Sequence, residues 1–228
     1  MSITRAGTPL PVADDKKACD FPPLPTPWSK RAFDIVLAGL GLIVSLPVWG
    51  IVAAVIKCED GGPIFFYDQR VGQGGRGFSV LKFRTMVPHA DQQFGPRQAT
   101  LADPRITRIG TWLRATAMDE LPQLWNIFRG DMSFVGPRAL RVGEILTRGD
   151  GQVVALANIR GYQHRHQVIP GLTGIAQIYA DRDIPPRQKF RYDALYIDRR
   201  NFWLDVRLML LSFWITFHGG WERRGKKW

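Results

Sequence analysis

The run from Ala32 to Ile56 constrains this chain most. Across those 25 residues the only ionisable side chain is Asp34. A helix of that length reaches across the ~30 Å hydrocarbon core of a bilayer. Ser29 is placed to cap its start. Length alone therefore describes a single transmembrane anchor. Two features argue for another path. Pro47 lies past the middle of the run, where it removes one backbone hydrogen bond and kinks a helix. Basic residues also flank both ends, Lys16, Lys17, Lys30 and Arg31 before and Lys57, Arg70 and Arg76 after. Positive charge marks the cytoplasmic side, so both ends belong on one face. A kinked helix over 29–57 that dips into the membrane and returns satisfies both facts. Ser45 is near enough to Pro47 to meet freed backbone groups.

The other end of the chain repeats the theme. "NFWLDVRLMLLSFWITF" (201–217) is mostly apolar, with Asn201, Asp205, Ser212 and Thr216 on a narrow polar stripe. Such a helix is roughly 25 Å long, short for a span. It suits an interfacial position with Trp203 and Trp214 at headgroup depth. The alternative is a buried core helix, against which stand Arg199, Arg200, Arg207 and the closing "ERRGKKW".

Charge narrows the partners. The 228 residues carry a formal +11 with 8 tryptophans, which calls for nucleic acid, a phospholipid surface or a phosphorylated substrate. Trp among basic residues favours a membrane interface. Residues 1–27 are polar and Pro-rich and read as an extended tail with no secretory signal. Cys19 and Cys58 stand far apart, which argues for a reducing compartment rather than a disulfide framework.

Between the apolar segments, "PIFFYDQRVGQGGRGFSVLKFRTM" (63–86) reads as a β-hairpin turning at "GQGGRG". No helix pattern follows the glycines, so a dinucleotide fingerprint fails its context. Lys82 and Arg84 lie two apart on the return strand and share a face, as a solvated basic edge or an anion clamp. "DPRITRIGTWLR" (103–114) places Ile106, Ile109, Trp112 and Leu113 at helical spacing. "RGDMSFVGPRAL" (129–140) and "VIPGLTGIAQ" (168–177) read as turn-rich loops. "HRH" (164–166) puts two imidazoles on one strand face with no third ligand at suitable spacing.

The stretch "TAMDELPQLWNIF" (116–128) poses the sharpest question. Leu121, Leu124, Trp125 and Phe128 set a helical period. With Asp119 as N-cap, Pro122 falls at the third helical position, where N–H groups are free anyway. There the helix end keeps the Asp119 carboxylate ionised, which suits a nucleophile, a metal ligand or an ordinary cap. Asp119 and Glu120, adjacent on a helix, point about 100° apart and do not form a symmetric dyad.

With "KRAFD", "KFRTM", "MDELPQLWN", "GDMSFVGPR" and "PGLTGIAQ" in this order, the chain resembles the bacterial sugar transferases. These are monotopic phosphoglycosyl transferases acting on polyprenol phosphate. The match runs from about Lys30 to Phe217. The resemblance implies an α+β, mostly helical monotopic membrane protein. It would have a re-entrant N-terminal helix, amphipathic interfacial helices and a small β-hairpin. The chain then divides into a tail (1–28), the re-entrant helix (29–57), a cytoplasmic catalytic domain (58–200), an interfacial helix (201–217) and a basic tail (218–228). The implied reaction moves a sugar-1-phosphate from a UDP-sugar to polyprenol phosphate at the inner membrane and releases UMP.

By residue, the resemblance makes Asp119 the nucleophile and a Mg²⁺ ligand, with Glu120 assisting. It gives Lys82, Arg84, Arg114, Arg138 and Asp193 to substrate and phosphate handling. It puts the membrane helix break at Ser45 and Pro47. The implied partners are the donor, the lipid acceptor and membrane lipids, not nucleic acid, and a homo-oligomer is compatible. The chain departs from the family pattern at Leu46, Ala139, Ile169 and Ile175. The Ile169 departure removes one arginine, whose contact Arg160 or Arg165 could supply. The rival readings are a membrane-anchored basic binding protein and an inactive family member.

Overall fold

The computed structural model describes residues 21–88, 103–147, 153–181 and 184–218. The tail through residue 20, with Cys19, and the closing segment 219–228 lie outside the described residues. The architecture is α+β and mostly helical. Helix α1 (Trp28–Asp60) leads into a hairpin of β1 (Phe65–Val71) and β2 (Gly77–Phe83). Then come α2 (Arg108–Ala115), α3 (Gln123–Arg129), β3 (Ser133–Val135), β4 (Ile145–Thr147), β5 (Val153–Ala155) and α4 (Tyr162–Arg165). The chain closes with β6 (Gly171–Thr173), α5 (Ile175–Tyr179), α6 (Pro186–Arg199) and α7 (Phe202–Phe217).

Helix α1 has 33 residues, a length of about 50 Å at 1.5 Å per residue. Helical backbone runs through Ser45 and Pro47 and continues to Asp60. Proline costs a helix one hydrogen bond and a clash with the preceding turn. Packing on both sides offsets that. Leu37, Ala38 and Leu42 join the main core with Leu124, Ile127 and Val135. Val48, Trp49, Val52 and Ile56 join a second core with Phe83 and Leu113. Ser45, itself buried, donates to the Leu42 carbonyl at 3.2 Å. Helix α1 packs tightly on α3 at Gly41, where an added Cβ would stand 3.1 Å from Leu124.

Both ends of α1 are tied to the same body. Lys30 Nζ donates to Asp205 at 2.8 Å and to the Val135 carbonyl at 2.9 Å. Arg31 covers the last carbonyls of α3 at Ile127 and Phe128. Asp34 is buried and accepts from the Phe134 N–H at 3.1 Å. At the other end Arg84 grips Asp60, and Glu59 accepts from the Arg108 N–H at the start of α2.

Two segments read as loops contain strands. Ser133–Val135 and Gly171–Thr173 pair in parallel and are almost wholly buried. Three residues each are too few to give a period, and glycines and prolines around them mask the signal. Helix α2 begins at Arg108 behind Thr107, so Ile106 precedes it and bridges to Met86 instead. On α7 the expected polar stripe is only partly solvated: Asn201 is exposed and Asp205 is not. Asp205 is buried on Lys30 and Tyr196, while Trp203 and Trp214 are 76% and 62% exposed. The helix turns Asp205 inward and its tryptophans and Arg207 outward. Phe33 and Phe202, packed edge to face with ring centres 5.4 Å apart, join α1 to α7.

Candidate active site

The hairpin register sets one wall. Phe66 lies opposite Lys82, Asp68 opposite Val80 and Arg70 opposite Phe78. Side chains alternate along a strand, so Asp68, Arg70, Val80 and Lys82 share a face. Against it stands a 3₁₀ turn, Met118–Glu120, entered through Ala117 at φ 56°. Ala117 is the one non-glycine with positive φ among the described residues. That conformation costs an L-residue on the order of 1 kcal/mol, and here it turns the chain sharply ahead of the two acids.

Asp119 is therefore not the N-cap of α3. Pro122 holds that position, and no side chain caps the helix. Pro122 itself has helical φ and ψ, and the chain before it already winds as a 3₁₀ turn, so the acids sit one turn upstream of the helix mouth. The two carboxyls differ sharply. Burial, and then the Glu120 charge, push Asp119 up to about 6, against Lys82 and Arg114. Burial would also raise Glu120. The Lys82 and Arg138 charges and the hydrogen bond from Lys82 outweigh it and hold Glu120 at about 2. Lys82 Nζ lies 2.6 Å from Glu120 Oε1. Contrary to expectation, Asp119 is thus not held ionised by a helix end but is the titrating member of the pair, and Glu120 is the firm anion.

A narrow cleft of about 30 Å³ opens to solvent here, lined by Arg70, Val80, Lys82, Glu120, Gln123, Met132, Arg138, Ala139, Gly171 and Leu172. Of the residues singled out from sequence, Lys82, Glu120 and Arg138 line it, with Asp119 beside them. Arg114 stands behind Asp119, close enough for its charge to be felt there, and donates to Thr85 Oγ1 at 2.8 Å. Arg84 does not join Lys82. It lies just past β2, buried on Asp60 and the Pro63 carbonyl. Asp193 does not reach the cleft wall either. It pairs with Arg165 at 2.8 Å, both side chains 3% exposed. Arg165 cannot replace the arginine missing at Ile169, because it also donates to the Arg138 carbonyl at 2.6 Å and lies over the Phe190 ring. The "HRH" stretch is helical, not a strand. His166 is buried, donates to the Tyr162 carbonyl and stays neutral, burial pushing it to about 3.

Sequence reasoning passed over Arg70 and Gln123. Arg70 donates to Asp68 and to the Ala139 carbonyl at 2.8 Å, holding the Arg138 loop against the hairpin. Counting alternate residues back from Lys82 through the turn would have found it. For Gln123 no such signal exists.

A family model described as bacterial sugar transferase matches residues 26–219. The chain belongs to that family. Members similar to it include the undecaprenyl-phosphate glucose phosphotransferase of Komagataeibacter xylinus, 40% identical over 188 residues, which are 80% of this chain and 35% of that one. The UDP-glucose:undecaprenyl-phosphate glucose-1-phosphate transferase of Caulobacter vibrioides is 39% identical over 90% of this chain and 72% of its own. The exopolysaccharide production protein ExoY of Rhizobium meliloti is 33% identical over 78% and 80%. The chain spans about a third of the length of the Komagataeibacter protein. Among the described residues no cluster of three or more His, Cys, Asp or Glu could hold a metal. The bacterial sugar transferase fold here instead offers one titrating and one fixed carboxylate beside three cations, a donor set that suits Mg²⁺ held jointly with phosphate oxygens.

Proposed function

We propose that the chain transfers a sugar-1-phosphate from a UDP-sugar to polyprenol phosphate and releases UMP. The unequal acid pair beside a cationic cleft carries this reading. A carboxyl near 6 is largely ionised at neutral pH yet more basic than an ordinary aspartate, so it is a better nucleophile. In the first displacement an Asp119 oxygen bonds the sugar-bearing phosphorus. The bond from that phosphorus to the UMP oxygen breaks, and UMP leaves with the electron pair. In the second, an oxygen of polyprenol phosphate attacks the same phosphorus and frees the Asp119 carboxylate. Arg138 and Arg114 offset phosphate charge. Lys82 holds Glu120 ionised beside the nucleophile. Mg²⁺, carried by Asp119 and the donor phosphates, would neutralise charge on the diphosphate.

The membrane reading rests on what α1 and α7 expose. Ile43, Val44, Leu46 and Ile51 of α1 face outward, Val44 at 77%, and so do Trp203, Leu210 and Trp214 of α7. Large apolar side chains exposed in such number belong against another apolar phase. Both ends of α1 are bonded to one globular body, so they share one side of the bilayer, which we assign to the cytoplasmic face of the inner membrane. Tags at either terminus are expected to react only with reagents admitted to the cytoplasm. A periplasmic N-terminus would restore a plain transmembrane anchor.

The activity itself is tested with radiolabelled UDP-sugars, Mg²⁺ and polyprenol phosphate. Lipid-linked sugar phosphate is expected, and its absence across a broad donor panel would favour an inactive member. The pH dependence is a sharper check. Attack needs ionised Asp119, so kcat/KM for the donor is expected to rise tenfold per unit up to about pH 6 and level above it. Glu120 remains ionised throughout, down to about 2. A profile flat from pH 5 to 8 would place the titrating nucleophile elsewhere.

A further inference from the structure

Gln123 is the unexplained group in the cleft. It opens α3, is 3% exposed, and its Nε2 is buried with no hydrogen-bond partner among the described residues. It contributes to keeping Glu120 ionised, but it closes no hydrogen bond on that carboxylate. A buried N–H left unpaired weakens a fold. The walls around it, Val80, Met132 and Leu172, are apolar, and an apolar residue of the same size would pack there at lower cost. Two neighbouring donors are spent on the protein, Lys82 on Glu120 and Arg70 on Asp68 and the Ala139 carbonyl. An unspent donor in this wall is therefore aimed at something that enters the cleft.

We propose that Gln123 is a donor-binding residue whose side-chain N–H donates to an oxygen of the phosphosugar that is transferred. The inference rests on the transferase reading and adds to it the residue that fixes the reacting group against the acid pair. A neutral amide suits this place better than another cation. It bonds one oxygen without pulling Glu120 away from Lys82. The oxygen belongs either to the sugar-bearing phosphate or to a sugar hydroxyl. The chemistry is shared, and the two sources differ in whether UDP alone feels the change.

The test uses the full chain in detergent, as wild type, Gln123→Met and Gln123→Leu. Wild type is read first, for turnover of a UDP-sugar panel and for the rise in Tm with UDP-glucose and with UDP. Loss of one such hydrogen bond is expected to raise the donor KM about tenfold. The expected change in kcat is under threefold, with the KM for polyprenol phosphate unmoved. The Tm of the free variants is expected to equal or exceed wild type, because the orphaned donor is gone. A purely structural glutamine would not behave so. Weakened protection by both UDP and UDP-glucose assigns the contact to the phosphate; weakened protection by UDP-glucose alone assigns it to the sugar. An active wild type with unchanged donor KM and protection in both variants overturns the inference. So does a fall in Tm with KM unchanged, which would make Gln123 a support for Glu120. A wild type that neither transfers nor is protected by any UDP-sugar overturns the transferase reading, and this inference with it.

Discussion

Asp119→Asn is expected to abolish transfer and, at the same time, to stabilise the protein at neutral pH. The loss follows from chemistry. An amide cannot form the acyl-phosphate linkage, so turnover should fall on the order of 10⁴-fold. The gain follows from linkage. The pKa of Asp119 is raised on folding, chiefly by burial and then by Glu120. A carboxyl raised in this way contributes its full stability below its ordinary value near 3.8. That contribution is lost as pH rises through about 6. At pH 8 the wild type carries the whole cost of an ionised Asp119, and the asparagine variant carries none. Its Tm should be higher there by on the order of 5 °C, and the difference should vanish below pH 4. Thermal unfolding at pH 4 and pH 8 measures the second effect, and the radiolabel assay measures the first. Near-normal turnover would remove Asp119 from the chemistry. Reduced stability at pH 8 would mean that the carboxylate is held by favourable contacts and is not strained by burial.

That double effect was half legible in the sequence. Proline at 122 located the helix to within a turn, and the apolar period of Leu121, Leu124 and Trp125 gave its face. The hairpin was legible as well, because a glycine-rich turn between β-forming runs has few other solutions. What the chain order could not display was the sign of the Asp119 shift. That sign depends first on burial, which packing from distant parts of the chain supplies, and then on the Glu120 charge, with Lys82 bonded to Glu120 and not to Asp119. The departure of Arg84 from its expected partner has a similar origin. Alternation puts Lys82 and Arg84 on one side only while the strand lasts, and β2 ends at Phe83. Beyond it Asp60, at the end of α1, captures Arg84. The inward turn of Asp205 was hidden for a complementary reason. A polar stripe on an apolar helix reads as the wet side unless its partner, here Lys30 on α1, is known. Helices at a membrane surface invert the usual burial rule, because the apolar side has a solvent of its own.

Asp193→Ala is expected to be the most destabilising single change at a residue first assigned to the substrate. Asp193 and Arg165 are each 3% exposed and meet at 2.8 Å. Removing one partner strands the other charge in the interior, at a cost of about 3–5 kcal/mol. For a domain of this size that is a fall in Tm of about 10 °C. Burial keeps the pKa of Asp193 raised even with Arg165 beside it, so the pair does not fully repay its own desolvation. It follows that removing both charges should hurt less than removing one. Arg165→Met with Asp193→Leu is expected to recover most of the lost Tm. Activity should not recover with it. Arg165 donates to the carbonyl of Arg138, and without that donor the loop carrying Arg138 into the cleft loses a fixed point on its inner side. The double variant should therefore fold well and show a raised donor KM. A direct phosphate-binding role for Asp193 predicts the reverse for the single variant, an unchanged Tm with impaired donor binding. Chemical unfolding and donor kinetics on the three proteins separate the two accounts. Stability regained without activity would identify the ion pair as the support that holds Arg138 in position.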